Sequence, residues 1–213
     1  MPDLPIMLRI DGRRCVVIGG GAVAARRAAA LRACGAHLTI IAPTIDPSLE
    51  TTLGECARWE KRGYQPGDLR GAWVAVIATD DAGVNDAAAA EARERGVLIN
   101  RADEPAAGDF AVPAHAHHGP LTVAVHTAGI SARLAASLRH QLSEALDPDV
   151  PRLLELVAPY RVRLQESIAD AGRRRAALRR LADDEALALL KAEGEDALLR
   201  RCESLAEQTP PPA

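Results

Sequence analysis

Residues Cys15 to Ile18 form a short apolar run that breaks into Gly19-Gly20-Gly21, and Ala22 to Cys34 then continues without glycine or proline to Gly35. Strand, glycine turn, helix and closing glycine, in that order, open a βαβ unit. Inside it, Gly19-x-Gly21-x-x-Ala24 has the spacing of a dinucleotide fingerprint. The first glycine permits a tight turn, the second lets backbone approach a pyrophosphate, and the small third residue lets helix and strand pack closely. The N–H groups that open the helix, at Ala22 and Val23, are the expected phosphate donors. A purely structural glycine turn is the competing reading, and the strand before and the helix after favour nucleotide binding. No Gly-Lys-Ser/Thr follows, so the turn is not a Walker A loop.

The pattern repeats through the first half of the chain. His37 to Ile41 reads as a strand stopped at Ala42-Pro43, Thr44 to Ala57 as at most one short helix, and Arg58 to Arg62 as a polar edge strand. Trp73 to Ala78 is a continuous apolar run, the mark of a strand buried on both faces. Val84 to Arg95 is helical and closed by Gly96, and Val97 to Ile99 is the next strand. Strands alternating with helices of about a dozen residues imply right-handed crossovers and a parallel sheet, an α/β fold. An acidic residue is expected about 20 residues beyond the glycines, at the end of the second strand, to hold the ribose. The strand instead ends Ile41-Ala42-Pro43-Thr44, which leaves the ribose to backbone near Pro43 or to the Thr44 hydroxyl. Thr79 and Asp80 fall on the carboxyl edge of the sheet, where open α/β folds bind ligands. A helix N-cap is the competing role for Asp80 or Asp81.

After residue 112 the character changes. Leu121 to Val125 reads as a strand, and Ser131 as the N-cap of a helix carrying Leu134, Leu138, Leu142 and Leu146 at four-residue spacing. That narrow apolar stripe suits contact with another helix, and with the strand it suggests a homodimer. Asp147 to Pro151 reads as a linker. The sequence beyond it is helical, with 11 basic and 11 acidic residues. The arginines at 173–175 and 179–180 read as a solvated face offset by Asp183-Asp184-Glu185, or else as a binding patch. His115-Ala116-His117-His118 reads as a polar loop, and no metal site is expected.

Composition excludes several classes. A chain that is 48% apolar and 26% charged is globular, and a net charge of −3 carries no chain-wide nucleic-acid footprint. No apolar run reaches the roughly 18–20 residues of a membrane span, and the first ten residues lack an apolar signal core. Cys15, Cys34, Cys56 and Cys202 form no Cys-x-x-Cys pair and read as free buried thiols. The expectation is a cytoplasmic protein without nucleic-acid or membrane partners.

Taken together, several segments resemble the precorrin-2 dehydrogenases and sirohydrochlorin ferrochelatases of siroheme synthesis, free-standing or as the N-terminal half of siroheme synthase. They are Leu4-Pro5-Ile6, Val17 to Ala24, Ala78-Thr79-Asp80-Asp81 with Val84-Asn85, Asn100 to Asp103, Asp109-Phe110 with Pro113, Gly119 to Val125, and Ser131 with Leu134-Ala135. The resemblance implies a Rossmann-like NAD-binding domain over residues 1–112, a small α+β dimerisation region over 113–147, a C-terminal helical domain over 148–208 and a disordered tail over 209–213. It also implies NAD-dependent oxidation of precorrin-2 to sirohydrochlorin. The alternatives are ferro- or cobaltochelation at the same site and a non-catalytic nucleotide- or tetrapyrrole-binding paralogue. The family's catalytic aspartate falls on Asp103, which is expected to face the nicotinamide and to take a proton or orient the macrocycle.

Arg101, two residues earlier, shares a strand face with Asp103. The family usually has an apolar residue there. A cation at 101 would keep Asp103 ionised and meet a substrate carboxylate, or else lie exposed on the surface. The family's Ser-Ser/Thr-Gly-Gly-x-Ser-Pro stretch appears as His126-Thr127-Ala128-Gly129-Ile130-Ser131-Ala132, one glycine and the proline lost. Thr127, Ser131 and the backbone N–H groups around Gly129 are the remaining expected contacts for substrate carboxylates.

Overall fold

The computed structural model describes residues 3–51 and 53–207; the expected tail over 209–213 lies outside them. Contacts divide the chain after Val112 into two compact units. Unit 1 is built on a five-stranded parallel sheet of β1 (Arg14–Ile18), β2 (His37–Ile41), β3 (Ala57–Glu60), β4 (Val74–Ile77) and β5 (Leu98–Arg101). Its order, β3-β2-β1-β4-β5, reverses direction between β1 and β4, which makes the carboxyl ends of those two strands the switch point of a doubly wound sheet.

Alternation along β1 explains why the sheet is covered on both faces. Cys15 and Val17 point into one core with Ala24, Ala25 and Ala28 of α1 (Ala22–Ala33). Val16 and Ile18 point into the other, against Ala88, Ala89 and Ala92 of α3 (Ala82–Arg95). Both helices turn alanine toward the sheet, so backbone comes close and the strand ends are held firmly. Gly96 closes α3 in the left-handed conformation at φ 66°, as its position after the last periodic residue implies. The weak segment after β2 yields only one turn of helix, α2 (Pro47–Glu50), capped by Asp46 through the Ser48 N–H.

Unit 2 begins with an antiparallel hairpin, β6 (Ala114–His118) and β7 (Leu121–Val125), on which α4 (Ala132–Glu144) packs. The expected polar loop at His115–His118 is therefore a strand. His115 and Ala116 pair with Ala124 and Val123, and the imidazoles of His115 and His117 meet the Pro113 carbonyl and the Thr122 hydroxyl through their Nδ1 atoms. Among the described residues four further helices follow: α5 (Asp149–Ser167), α6 (Ala171–Leu181), α7 (Asp184–Glu193) and α8 (Glu195–Glu207). They share a core of Leu153, Val157, Leu164, Leu190, Leu198 and Cys202. The expected linker at 147–151 is shorter than read, because α5 already starts at Asp149. Cys15 and Cys202 are buried, but Cys34 is exposed, so the thiols are not uniformly interior. Burial pushes the Cys15 thiol up to about 11, which keeps it protonated and inert. Among the described residues no helix is long and apolar enough to cross a membrane.

Candidate functional site

The three glycines after β1 do different work. At φ 118°, Gly19 lies so close to the end of β4 that an added Cβ would stand 2.1 Å from the Ala78 carbonyl oxygen. A Cβ on Gly20 would stand 1.9 Å from the Thr44 carbonyl oxygen. Gly20 occupies an unspecified position of the fingerprint, yet it is as constrained as its neighbour, because Asp46 N–H also donates to the Gly20 carbonyl at 2.7 Å and clamps the β2 exit over the turn. Gly21 is the open one. It is the N-cap of α1 in extended backbone, it has no side chain to cap the first turn, and a Cβ there would meet no heavy atom within 4 Å. The N–H groups of Ala22 and Val23 begin the helix from that open side, and Ala24 is fully buried against the sheet as a close-packing residue must be. A phosphate diester has both the room and the donors it needs here, so the residues fit an NAD(P) pyrophosphate.

At the β2 exit, Pro43 and Thr44 are exposed. The next acid, Asp46, accepts from the Ser48 N–H and hydroxyl, so its carboxylate serves α2. The ribose side thus offers the Thr44 hydroxyl and backbone.

Across β4 the carboxyl edge carries a linked polar cluster. Asp81 caps α3, accepting from the Val84 N–H at 3.1 Å, which settles the N-cap question and leaves Asp80 exposed. Thr79 Oγ1 donates to Asn85 Oδ1 at 2.6 Å, and Asn85 Nδ2 donates to the Thr79 carbonyl and to Asp103 Oδ2, both at 3.0 Å. Asn85 is 1% exposed. Arg101 grips Asp103 at two points, Nε to Oδ1 at 3.1 Å and Nη2 to Oδ2 at 2.6 Å, while its Nη1 donates to Asp86 Oδ1 at 2.8 Å. The guanidinium side chain is only 6% exposed and the Asp103 side chain 32%, so Asp103 is reachable and Arg101 is not.

The surface placement considered for Arg101 gives way to this geometry, because the side chain is buried and each of its three nitrogens meets a protein carboxylate. The guanidinium holds the Asp103 carboxyl far below the usual carboxylate range, with the Asn85 amide acting in the same direction. Of these side-chain bonds Oδ1 accepts one and Oδ2 two, and a backbone hydrogen bond from Asp103 itself adds to them.

Thr127, Gly129 and Ser131 lie in unit 2, between β7 and α4. Thr127 Oγ1 donates to the Ser131 carbonyl and accepts from the Ser131 N–H. Ser131 Oγ accepts from the Leu134 N–H, capping α4. The Ile130 N–H returns to the Thr127 carbonyl at 2.9 Å around Ala128 and Gly129, both at positive φ (51° and 75°). A turn of this hand suits glycine at both central positions. Ala128, in the left-handed region, carries strain of about 1 kcal/mol. Ala128→Gly is expected to stabilise the protein by up to about 1 kcal/mol, read as a higher denaturant midpoint at unchanged m-value.

Two members of the polar cluster, Asn85 and Asp86, were not singled out as site residues from the sequence. Asn85 had a visible signal. It lies in the inward stripe Asn85, Ala88, Ala89, Ala92, at i, i+3, i+4 and i+7, as its only polar member. Asp86 had none, since its role depends on a guanidinium that arrives from β5.

A family described as "Putative NAD(P)-binding" matches residues 6–114, half of the chain. Siroheme synthase of Chromobacterium violaceum is 38% identical over 82% of this chain and 37% of its own length, and that of Methylobacillus flagellatus is 34% identical over 82% and 38%. The chain spans about two fifths of the length of these relatives. The solved structure of SirC, precorrin-2 dehydrogenase, superimposes with a TM-score of 0.75 at 25% identity, covering 95% of this chain and 100% of that one. The chain belongs to the precorrin-2 dehydrogenase and siroheme synthase N-terminal family. Membership accounts for both units at once: the NAD(P)-binding sheet, and the hairpin and helices that follow it.

Proposed function

We propose that this family member oxidises precorrin-2 to sirohydrochlorin with NAD, in the cytoplasm, and that Asp103 is the carboxylate that meets the substrate. The observation that carries the reading is the pairing of two features on one sheet edge. An uncapped helix N-terminus behind Gly21 is built for a dinucleotide, and a fixed, partly exposed carboxylate stands two strands away. Gly19, Gly21, Ala22 and Val23 frame the pyrophosphate, Pro43 and Thr44 flank the ribose, and Thr79 and Asp80 lie on the edge between. When bound, the nicotinamide supplies the hydride acceptor.

Asp103 aligns pyrrole N–H groups through its partly exposed carboxylate and offsets the positive charge that grows on the macrocycle as the hydride departs. Arg101 and Asn85 keep the carboxylate still while it does so. Thr127, Gly129 and Ser131 remain candidate contacts for the carboxylates that rim the substrate, through the Ser131 hydroxyl proton and the backbone N–H groups of the turn. The protein with precorrin-2 and NAD is expected to form NADH and sirohydrochlorin in equal amounts. Absence of NADH with well-folded protein would sink the assignment.

A homodimer is part of the same proposal. Ile130, Leu134, Leu138 and Leu142 are all exposed, while α4 spends its other face on β6 and β7. An apolar row of that length is what a second copy would cover. Sedimentation equilibrium is expected to give twice the mass of one chain.

A further inference from the structure

Taking Asp103 as the substrate-facing carboxylate, on which this inference rests, we propose that Arg101 is a positioning residue that holds Asp103 as a fixed hydrogen-bond acceptor and thereby confines the site to oxidation, excluding metal insertion into the product. The two reactions ask different things of one carboxylate. In oxidation, precorrin-2 and NAD⁺ give sirohydrochlorin, NADH and a proton: a hydride passes to the nicotinamide and the proton leaves to water. A carboxylate that stays charged throughout is sufficient. In metal insertion, a divalent cation displaces two pyrrole N–H protons, and a base beside the inner nitrogens must accept them as the metal–nitrogen bonds form.

Asp103 is badly placed to be that base. Arg101 Nε and Nη2 occupy one lone pair on each oxygen, and Asn85 Nδ2 occupies a second on Oδ2. The acidic groups facing the cluster do not reverse this. Asp86 from α3 and Glu104 from the loop after β5 both lie on Arg101 Nη1, at 2.8 and 3.7 Å, so they neutralise the cation's far side and anchor it. The guanidinium cannot swing away to free the carboxylate, because it is 6% exposed and bridges β5 to α3. A proton on Asp103 would remove the charge to which the two-point Arg101 contact is made, which is the physical reason its affinity for protons is low.

The test uses the full chain and three readings on wild type and Arg101→Leu. Aspartate ¹³Cγ NMR of the free protein, with Asp103→Asn for assignment, follows the carboxyl through pH. NADH formation is followed over about pH 5 to 8, and Co²⁺ insertion into sirohydrochlorin is followed without nucleotide. In wild type the Asp103 signal is expected not to move through the ordinary carboxylate range near pH 4, oxidation has no acid limb, and insertion runs at the protein-free rate. In Arg101→Leu the signal titrates, oxidation kcat falls by about tenfold with an acid limb, and insertion rises by about tenfold or more over that control.

An Asp103 that titrates normally in wild type overturns the clamp. Catalysed insertion by wild type overturns the selectivity, as does an Arg101→Leu protein whose Asp103 titrates but which still inserts no metal. The wild-type arms can overturn the clamp or the selectivity even if the variant does not fold. A wild type that oxidises no precorrin-2 counts against the dehydrogenase reading by itself, whereas the titration in the free protein still decides the clamp.

Discussion

Gly19→Ala and Gly20→Ala are expected to unfold unit 1, while Gly21→Val leaves it folded and unable to hold a dinucleotide. At Gly19 the new methyl group would overlap the Ala78 carbonyl, 2.1 Å away, in a backbone region that side chains rarely adopt. Neither partner can give way, because the Ala78 N–H is itself bonded to the Ile18 carbonyl across the β1–β4 ladder. Strain and overlap of this kind cost about 2–6 kcal/mol together, comparable to the whole stability of a marginal domain. Gly20→Ala meets the Thr44 carbonyl and is expected to be nearly as damaging, by pushing the β2 exit off the turn. At Gly21 the backbone is ordinary extended chain and the space beside it is open, so valine is accommodated at little cost. Its methyl groups then stand where the pyrophosphate must approach, and loss of at least about tenfold in NAD affinity, roughly 1.4 kcal/mol, is expected by calorimetry. Thermal melts separate the two classes. Equal destabilisation at all three positions would mean that Gly21 is structural as well.

That contrast shows what kind of information the sequence holds. The runs at Cys15 to Ile18 and Trp73 to Ala78 announce buried strands because both faces are covered and every side chain is apolar. Gly35 and Gly96 announce helix ends because only glycine closes a helix cheaply in the left-handed conformation. Ser131 announces a helix start because its hydroxyl can cap the first turn. These signals are local and chemical, and they are legible. The role of Gly20 is not, since its constraint comes from the Thr44 carbonyl, brought over by a neighbouring strand. Strand β6 is likewise hidden. Its residues alternate small with imidazole, and only pairing with β7 through the Gly119-Pro120 turn makes them a ribbon. Asp103 is legible through family resemblance, but the environment that decides its chemistry is assembled from residues 79, 85, 86, 101 and 103, which no periodicity links.

That environment also decides how Asp103 must be tested. Asp103→Ala alone is expected to abolish oxidation, by about 10²- to 10⁴-fold if the carboxylate acts in proton handling or alignment. It also strips the buried Arg101 of its two-point partner, leaving Asp86, whose side chain is 71% exposed, as the main counter-charge. An under-compensated buried cation costs about 2–4 kcal/mol, so loss of activity in the single variant would not separate chemistry from folding. Arg101→Val alone costs less, about 1–2 kcal/mol, because the half-exposed carboxylate keeps Asn85 and regains water. The pair Arg101→Val with Asp103→Ala removes charge and counter-charge together and is expected to return to within about 1 kcal/mol of wild type, a non-additivity that a double-mutant cycle in denaturant would read. If the double variant folds like wild type and still makes no NADH, the carboxylate is needed for the reaction itself.

The pH dependence carries the same signature. The folded-state carboxyl titrates below its unfolded value, so its contribution is complete above the ordinary carboxylate range and is lost as pH falls through that range toward the depressed folded value. Wild type should therefore lose stability more steeply than the double variant between about pH 5 and pH 2. Parallel acid-unfolding curves for the two proteins would mean that Arg101 and Asp103 do not form the coupled pair their 2.6 Å contact describes.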